Sequence, residues 1–152
     1  MPGIGEAVAA NPGCLFCRIV AGEVEATVVT STEHTVAFLD HRPLFEGHTL
    51  VVPRAHVPTL RDLPTGAVGP YFADVQRIAV AVQDGMGADG SFVAANNVVS
   101  QSVPHLHFHV VPRRRKDGLR GFFWPRTRYA DAARVEEIAA RVRAALQSAR
   151  LQ

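Results

Sequence analysis

The sequence predicts an α+β domain: one five-stranded antiparallel sheet, a helix between the third and fourth strands, and a second helix at the C-terminus. Three observations carry that prediction. Five short runs rich in β-branched and aromatic residues are separated by turn residues. The first three of these follow one another through tight turns, as a meander does. Two longer stretches carry apolar residues at helical spacing.

In chain order, residues 1–12 read as a flexible lead-in and 13–152 as a single domain with a basic, aromatic extension at 113–128. Arg18 to Gly22 reads as one or two helical turns stopped by glycine. Leu15, Phe16 and Ile19 share its apolar face, as core or as a pocket wall. Ala26–Ser31 is the first strand, Thr32-Glu33 a turn, and His34–Asp40 a second strand that ends on an acid. His41-Arg42-Pro43 breaks it, and Glu46-Gly47 turns the chain into a third strand, His48–Pro53, with His56 at its exit. A helix capped near Thr65 follows, its apolar stripe formed by Tyr71, Phe72, Val75, Ile78, Ala79 and Val82. Pro70 is placed in its first turn, where a missing donor costs little, and Gly85 and Gly87 stop it. Ser91–Asn96 and His105–Val111 complete the sheet, with the polar loop Asn97–Ser102 aimed at the fifth strand and prolines 104 and 112 bounding that strand. The last helix runs from Asp131 to Arg150, with Val135, Ile138, Val142 and Leu146 as its buried stripe.

At 152 residues, 47% hydrophobic and 20% charged, the chain has the make-up of a globular domain large enough to bury a core. No apolar run approaches the roughly 18–20 residues of a transmembrane helix, and Met1–Glu6 lacks the basic start and apolar core of a secretory signal. A cytoplasmic protein without a membrane partner is expected. Net charge is only +2, yet residues 113–128 hold seven of the sixteen basic residues: Arg113, Arg114, Arg115, Lys116, Arg120, Arg126 and Arg128. With Phe122, Phe123 and Trp124 among them, they read either as solvated surface with an aromatic anchor or as a clamp for extra phosphates. No defined stacking platform accompanies the basic cluster, so nucleic acid is not the expected partner.

The chemistry concentrates in Pro104-His105-Leu106-His107-Phe108-His109-Val110-Val111-Pro112. Alternate residues of a strand point to opposite faces, so three imidazoles roughly 7 Å apart share one face while Leu106, Phe108 and Val110 share the other. Three histidines in that register fit metal ligation or nucleophilic transfer, since neutral imidazole serves both near pH 7. The two cysteines form a C-x-x-C pair, Cys14 and Cys17. In a reducing compartment, without a thioredoxin-like context, this is half a zinc site that needs two further ligands, usually histidine.

His105-x-His107-x-His109 followed by Val110-Val111-Pro112-Arg113 resembles the histidine triad (HIT) family. So do Cys14-x-Phe16-Cys17-x-Ile19, Ala37-Phe38-Leu39-Asp40, Gly47 to His56 and Gln101-Ser102-Val103-Pro104-His105, in the same order. The resemblance implies a HIT-like fold, a homodimer, and a purine nucleotide or dinucleoside polyphosphate as substrate. It implies cleavage of a nucleotidyl phosphoramidate or polyphosphate bond through a nucleotidyl-histidine, with no catalytic cofactor. By the match, His107 is the nucleophile, and His109 contacts the α-phosphate and the developing charge. Gln101 and Ser102 contact phosphate or leaving group, Asp40 holds the ribose hydroxyls, and Asn96 approaches the phosphates, with Asn97 as the alternative because the loop is short and glycine-free. Leu15, Phe16, Ile19 and Phe38 match the positions that wall the base. Some relatives with C-x-x-C place the equivalents of Cys14, Cys17, His56 and His105 around a structural zinc. The alternative function is a nucleotide-binding regulatory protein with vestigial activity.

Overall fold

A computed structural model describes residues 10–119 and 126–148, which fall into two compact units divided between Arg115 and Lys116. The first unit contains the sheet strands β1 (Val28–Ser31), β2 (Thr35–Leu39), β3 (Thr49–Pro53), β4 (Gly90–Ala94) and β5 (Phe108–Arg113). With them are helix α1 (Leu15–Val20), a 3₁₀ turn at Leu60–Asp62, and helix α2 (Thr65–Gly85). The strands pair antiparallel throughout in the order β1-β2-β3-β5-β4, so the triad strand lies inside the sheet rather than at its edge. The second unit contains α3 (Ala132–Ser148). Arg120, Phe122, Phe123, Trp124 and Pro125, the first nine residues, the last four, and the side chain of Leu146 lie outside the described residues.

The two faces of the sheet carry two cores. Ala37, Val51, Leu106 and Val110 pack with Tyr71, Val75, Ile78 and Val82, so the apolar stripe of α2 is buried as its periodicity requires. The buried Tyr71 hydroxyl donates to the Val51 carbonyl at 2.8 Å and pins the helix to the middle of the sheet. On the other face, Val36, Phe38, Leu50 and Val52 pack with Cys14, Phe16 and Cys17. Phe16 of this second core packs against the rings of His105 and His107.

Three local expectations shift. Regular pairing of the triad strand starts at Phe108, so His105 and His107 stand just before β5, and Pro112 pairs within it opposite Ser91. The chain turns tightly ahead of the triad, with the His105 amide bonded to the Val103 carbonyl at 2.8 Å, which delays the ladder without changing the alternation of faces. Pro70 lies in the second turn of α2, beyond the end positions where its missing donor is free of cost. Val135 and Val142 of α3 are 45% and 56% exposed. Periodicity identifies an apolar face but not whether another layer covers it.

Candidate functional site

The C-x-x-C pair straddles the start of α1, with Cys14 at its N-cap and Cys17 in its first turn, both buried. Two long-range partners meet them. Both Cys14 Sγ and Cys17 Sγ lie 3.5 Å from His105 Nδ1, and Cys17 Sγ lies 3.3 Å from His56 Nδ1. One donor atom from each of the four residues fits within 4.8 Å of all the others. A tetrahedral zinc with bonds of about 2.3 Å to sulfur and about 2.0–2.1 Å to nitrogen implies sulfur–nitrogen edges of ~3.6 Å, close to these separations.

The protons agree with that reading. A carbonyl oxygen only accepts, so the 2.9 Å contact of His105 Nε2 with the Pro53 carbonyl places the proton there and leaves the Nδ1 lone pair facing the thiols. Burial, helped by His56 and His107, pushes His105 down to about 4 against the raising effect of the Pro53 bond, so the ring is neutral at pH 7 as a ligand must be. The Asn11 amide donates to Cys17 Sγ at 3.4 Å, the outer-shell contact that steadies a thiolate.

The same logic fixes His107. Its Nδ1 is 2.7 Å from the His105 carbonyl and donates to it, so Nε2 carries an unprotonated lone pair. The edge of Phe16 packs against this ring at a centroid distance of 5.1 Å, and Phe16 also packs on Phe38 at 5.4 Å. Of the four residues matched to the base wall, the buried Phe16 and Phe38 therefore stand with the triad, while Ile19 is half-buried and Leu15 is 43% exposed.

A residue given no role from the sequence completes the centre. His48, at the entrance to β3, is 3% exposed. The Leu44 backbone amide donates to its Nδ1 at 3.1 Å, which puts the His48 proton on Nε2. That N–H points at His109 Nδ1, 2.9 Å away, so the proton of neutral His109 sits on Nε2 as a donor. Burial, with His107 and His48 close by, pushes His109 down to about 4, outweighing Asp40; burial likewise lowers His48 against Asp40. Both rings are neutral at pH 7. The approach to His48 depends on Gly47, whose φ is +93° and where a Cβ would come within 2.6 Å of Met86 Cγ.

Asp40 follows β2, accepts the Arg42 amide at 2.9 Å on Oδ1, and turns Oδ2 to within 3.8 Å of His48 Nε2. Asp40, His48 and His109 thus offer a two-histidine, one-carboxylate set. Their tautomers make it a poor metal site, because the His48 nitrogen that would face an ion holds the proton, and moving that proton would break the Leu44 bond.

The loop before the triad is stitched by its own amides. Gln101 accepts the Val98 amide at 2.9 Å and donates to the Pro58 carbonyl at 2.7 Å, Asn96 donates to the Ser100 carbonyl at 3.3 Å, and Asn97 accepts the Leu60 amide at 2.8 Å. Ser102 is exposed just beyond them. In the basic run, Arg114 donates to the Gly87 carbonyl at 2.6 Å and to that of Met86, so its guanidinium caps the C-terminus of α2.

Two predictions follow from the histidine relay. His48→Gln should lower kcat for the reaction proposed below by about 100-fold, with nucleotide affinity changed far less, because His109 loses its enforced tautomer. Equal losses in kcat and affinity, measured on protein of native circular dichroism, would contradict it. The second concerns acid. A histidine free in the unfolded chain protonates near 6.5, whereas folded His109 does so near 4. As pH falls between those values the unfolded chain binds the extra proton, so stability is full above about 6.5 and declines toward 4. Thermal melts from pH 7.5 to 4.5 should show that decline, and His109→Gln should reduce it.

The HIT domain family model matches residues 21–116. An uncharacterized HIT-like protein of Methanocaldococcus jannaschii is 41% identical over 107 residues, 69% of this chain and 82% of that protein. An adenosine 5′-monophosphoramidase of Saccharomyces cerevisiae is 36% identical over 112 residues, 72% of this chain and 68% of that protein. Among solved structures, a HIT family member from Bacillus subtilis superposes with a TM-score of 0.78 at 32% identity, covering 86% of this chain and 94% of its own. A zinc-bound histidine triad family protein from Mycobacterium smegmatis does so at 0.67 and 38% identity, covering 91% and 98%. With its three histidines in register before and within β5 and the family match spanning the sheet, the chain belongs to the HIT domain family.

Proposed function

We propose that this protein is a nucleotidyl hydrolase that cleaves a purine nucleoside phosphoramidate through a nucleotidyl-histidine at His107. The observation that carries this reading is the His107 Nδ1–H bond to the His105 carbonyl, which frees Nε2 as a nucleophile without a separate base. In the first step the Nε2–phosphorus bond forms as the phosphorus–nitrogen bond breaks, the departing amine takes its proton from solvent, and the Nε2–H of neutral His109 bonds a phosphoryl oxygen. Water then attacks phosphorus, the phosphorus–Nε2 bond breaks, the proton lost by the water passes to solvent, and mononucleotide leaves with His107 neutral again. Ser102, His109 and the remaining amide N–H of Gln101 bind phosphoryl oxygens, while Asn96 and Asn97 shape their loop. Phe16 and Phe38, with Leu15 and Ile19 at the rim, hold the base. The yeast relative named as an adenosine 5′-monophosphoramidase supports the phosphoramidate over a dinucleoside polyphosphate. So does Arg114, whose guanidinium is committed to the end of α2 rather than offered to a phosphate chain.

Cys14, Cys17, His56 and His105 would hold a structural zinc, which supplies a fixed joint between α1 and the triad and no step of the reaction. The zinc-bound mycobacterial relative supports the same reading. The working form is a cytoplasmic homodimer; among the described residues no helix is long and apolar enough to cross a membrane. Release of adenosine monophosphate from adenosine 5′-phosphoramidate tests the activity, and no release by the zinc-loaded protein would refute it. Asp40 holds the ribose diol, since one carboxylate can accept two hydroxyls. Asp40→Ala should therefore raise KM about tenfold for the ribonucleotide and leave the 2′,3′-dideoxy analogue near its wild-type value; equal loss for both would remove that role.

A further inference from the structure

The geometry that suits zinc at Cys14 and Cys17 also suits a second chemistry at the same two sulfurs. Both lie 3.5 Å from one nitrogen, His105 Nδ1, and the donor atoms of the cluster all fall within 4.8 Å of one another. Neither cysteine is in a disulfide. Three residues apart at a helix start and converging on one nitrogen, they can close to the ~2.05 Å of a disulfide by side-chain rotation. The thiols are buried, but they border the exposed residues 10–13, where the Asn11 amide bonds Cys17 Sγ, so a small oxidant has a short path.

The two states exclude each other. Zinc is held by thiolate, and sulfur in a disulfide no longer supplies one. Oxidation therefore leaves His56 and His105, half of a tetrahedral set. The loss reaches the nucleotide site through Phe16, which stands between the cysteines in the chain. Its ring edge meets His105 at a centroid distance of 6.0 Å and His107 at 5.1 Å, and it packs on Phe38 at 5.4 Å. Helix α1 has six residues, too few to hold its place unaided, so its position depends on such ties. His105 extends the link, because its carbonyl accepts from His107 Nδ1.

We infer that Cys14 and Cys17 form a thiol–disulfide switch, in which oxidation by a hydroperoxide releases zinc and loosens the nucleotide site. This rests on the zinc reading above. One thiolate attacks a peroxide oxygen, the oxygen–oxygen bond breaks, and hydroxide leaves a sulfenic acid behind. The other thiolate attacks that sulfur, the sulfur–sulfur bond forms, and a second hydroxide leaves. Two protons from solvent turn both hydroxides into water; the peroxide gains the two electrons that the thiolates lose. The nearby second sulfur stops oxidation at the disulfide, which a thiol reductant reverses.

Zinc-loaded protein, purified under reductant and then freed of it, would be titrated with hydrogen peroxide while a chromogenic chelator reads the zinc released over an untreated control. Zinc should appear in step with a disulfide, seen by intact mass as the loss of two hydrogens. Calorimetry should then show adenosine monophosphate binding about tenfold more weakly, the scale of one lost apolar contact. Dithiothreitol with added zinc should restore the affinity. A Cys14→His, Cys17→His protein, with nitrogen ligands and no oxidisable sulfur in the cluster, should keep its metal and its affinity throughout; the wild-type titration decides even if that variant does not fold. Zinc retained beside reduced thiols in excess peroxide, thiols passing to sulfinic acid without a disulfide, or zinc lost with nucleotide affinity unchanged would overturn the switch. Protein that carries no zinc before oxidation would instead refute the zinc site, and the switch with it.

Discussion

Replacing His107 with Ala should lower turnover of adenosine 5′-phosphoramidate by about four orders of magnitude or more, while the protein still folds and binds the nucleotide. The size of the loss follows from what the side chain does. In the proposed reaction it supplies the attacking electron pair and carries the covalent intermediate, so its removal leaves only binding and the phosphoryl donors. Retained binding follows from the proposed site, which gives the base to Phe16 and Phe38 and the ribose to Asp40; Phe16 and Phe38 also pack with Val36, Leu50 and Val52, and the Arg42 amide bonds Asp40. Initial rates and calorimetry on the same preparation give both quantities. Turnover within tenfold of wild type would remove His107 as the nucleophile.

Replacing Cys14 with Ser should abolish stoichiometric zinc, lower the melting temperature on the order of 10 °C, and weaken nucleotide binding. Cys14 is the N-cap of α1 and packs with Phe16, Phe38 and Leu50, so the proposed zinc would tie this cluster to His105 of the triad. His105 links the two clusters most directly, offering Nδ1 to the thiols and its carbonyl to His107 Nδ1. Chelation of the wild-type protein should reproduce both effects, and zinc affinity should fall with pH as the thiolates protonate. Elemental analysis with thermal melts decides the matter. Metal-free protein with wild-type stability and two titrating thiols would contradict it.

The parts of the site legible in the sequence are those carried by local repetition. Alternation places three histidines on one face whether or not the ladder has begun, so their common face was readable although β5 starts only at Phe108. The C-x-x-C spacing reports two ligands by itself. His48 was not readable in the same way, because its role rests on the Leu44 amide and on the pairing of β3 with β5, which sets Leu50 against His109. A histidine at the entrance to an otherwise apolar strand, eight residues after Asp40, is the signal that marks it. Gln101 and Asn96 were placed near phosphate by their motif, yet their partners are loop carbonyls and amides that only folding brings within reach. Arg114 looked like its neighbours in a basic run; the end of α2 distinguishes it. The left-handed Val98 has no sequence signature, since the residue type argues against the conformation it adopts.

The nucleotidyl-histidine is the central claim, and trapping it is the most direct test. Wild-type protein mixed with adenosine 5′-phosphoramidate and quenched within the first turnover, under conditions that preserve phosphorus–nitrogen bonds, should carry one adenylyl group by intact mass. Peptide fragmentation should place it on His107, and the same treatment of His107→Ala should leave the mass unchanged. Rapid release of mononucleotide by wild-type protein with no adduct detectable at any quench time, or an adduct on His109 instead, would contradict the mechanism.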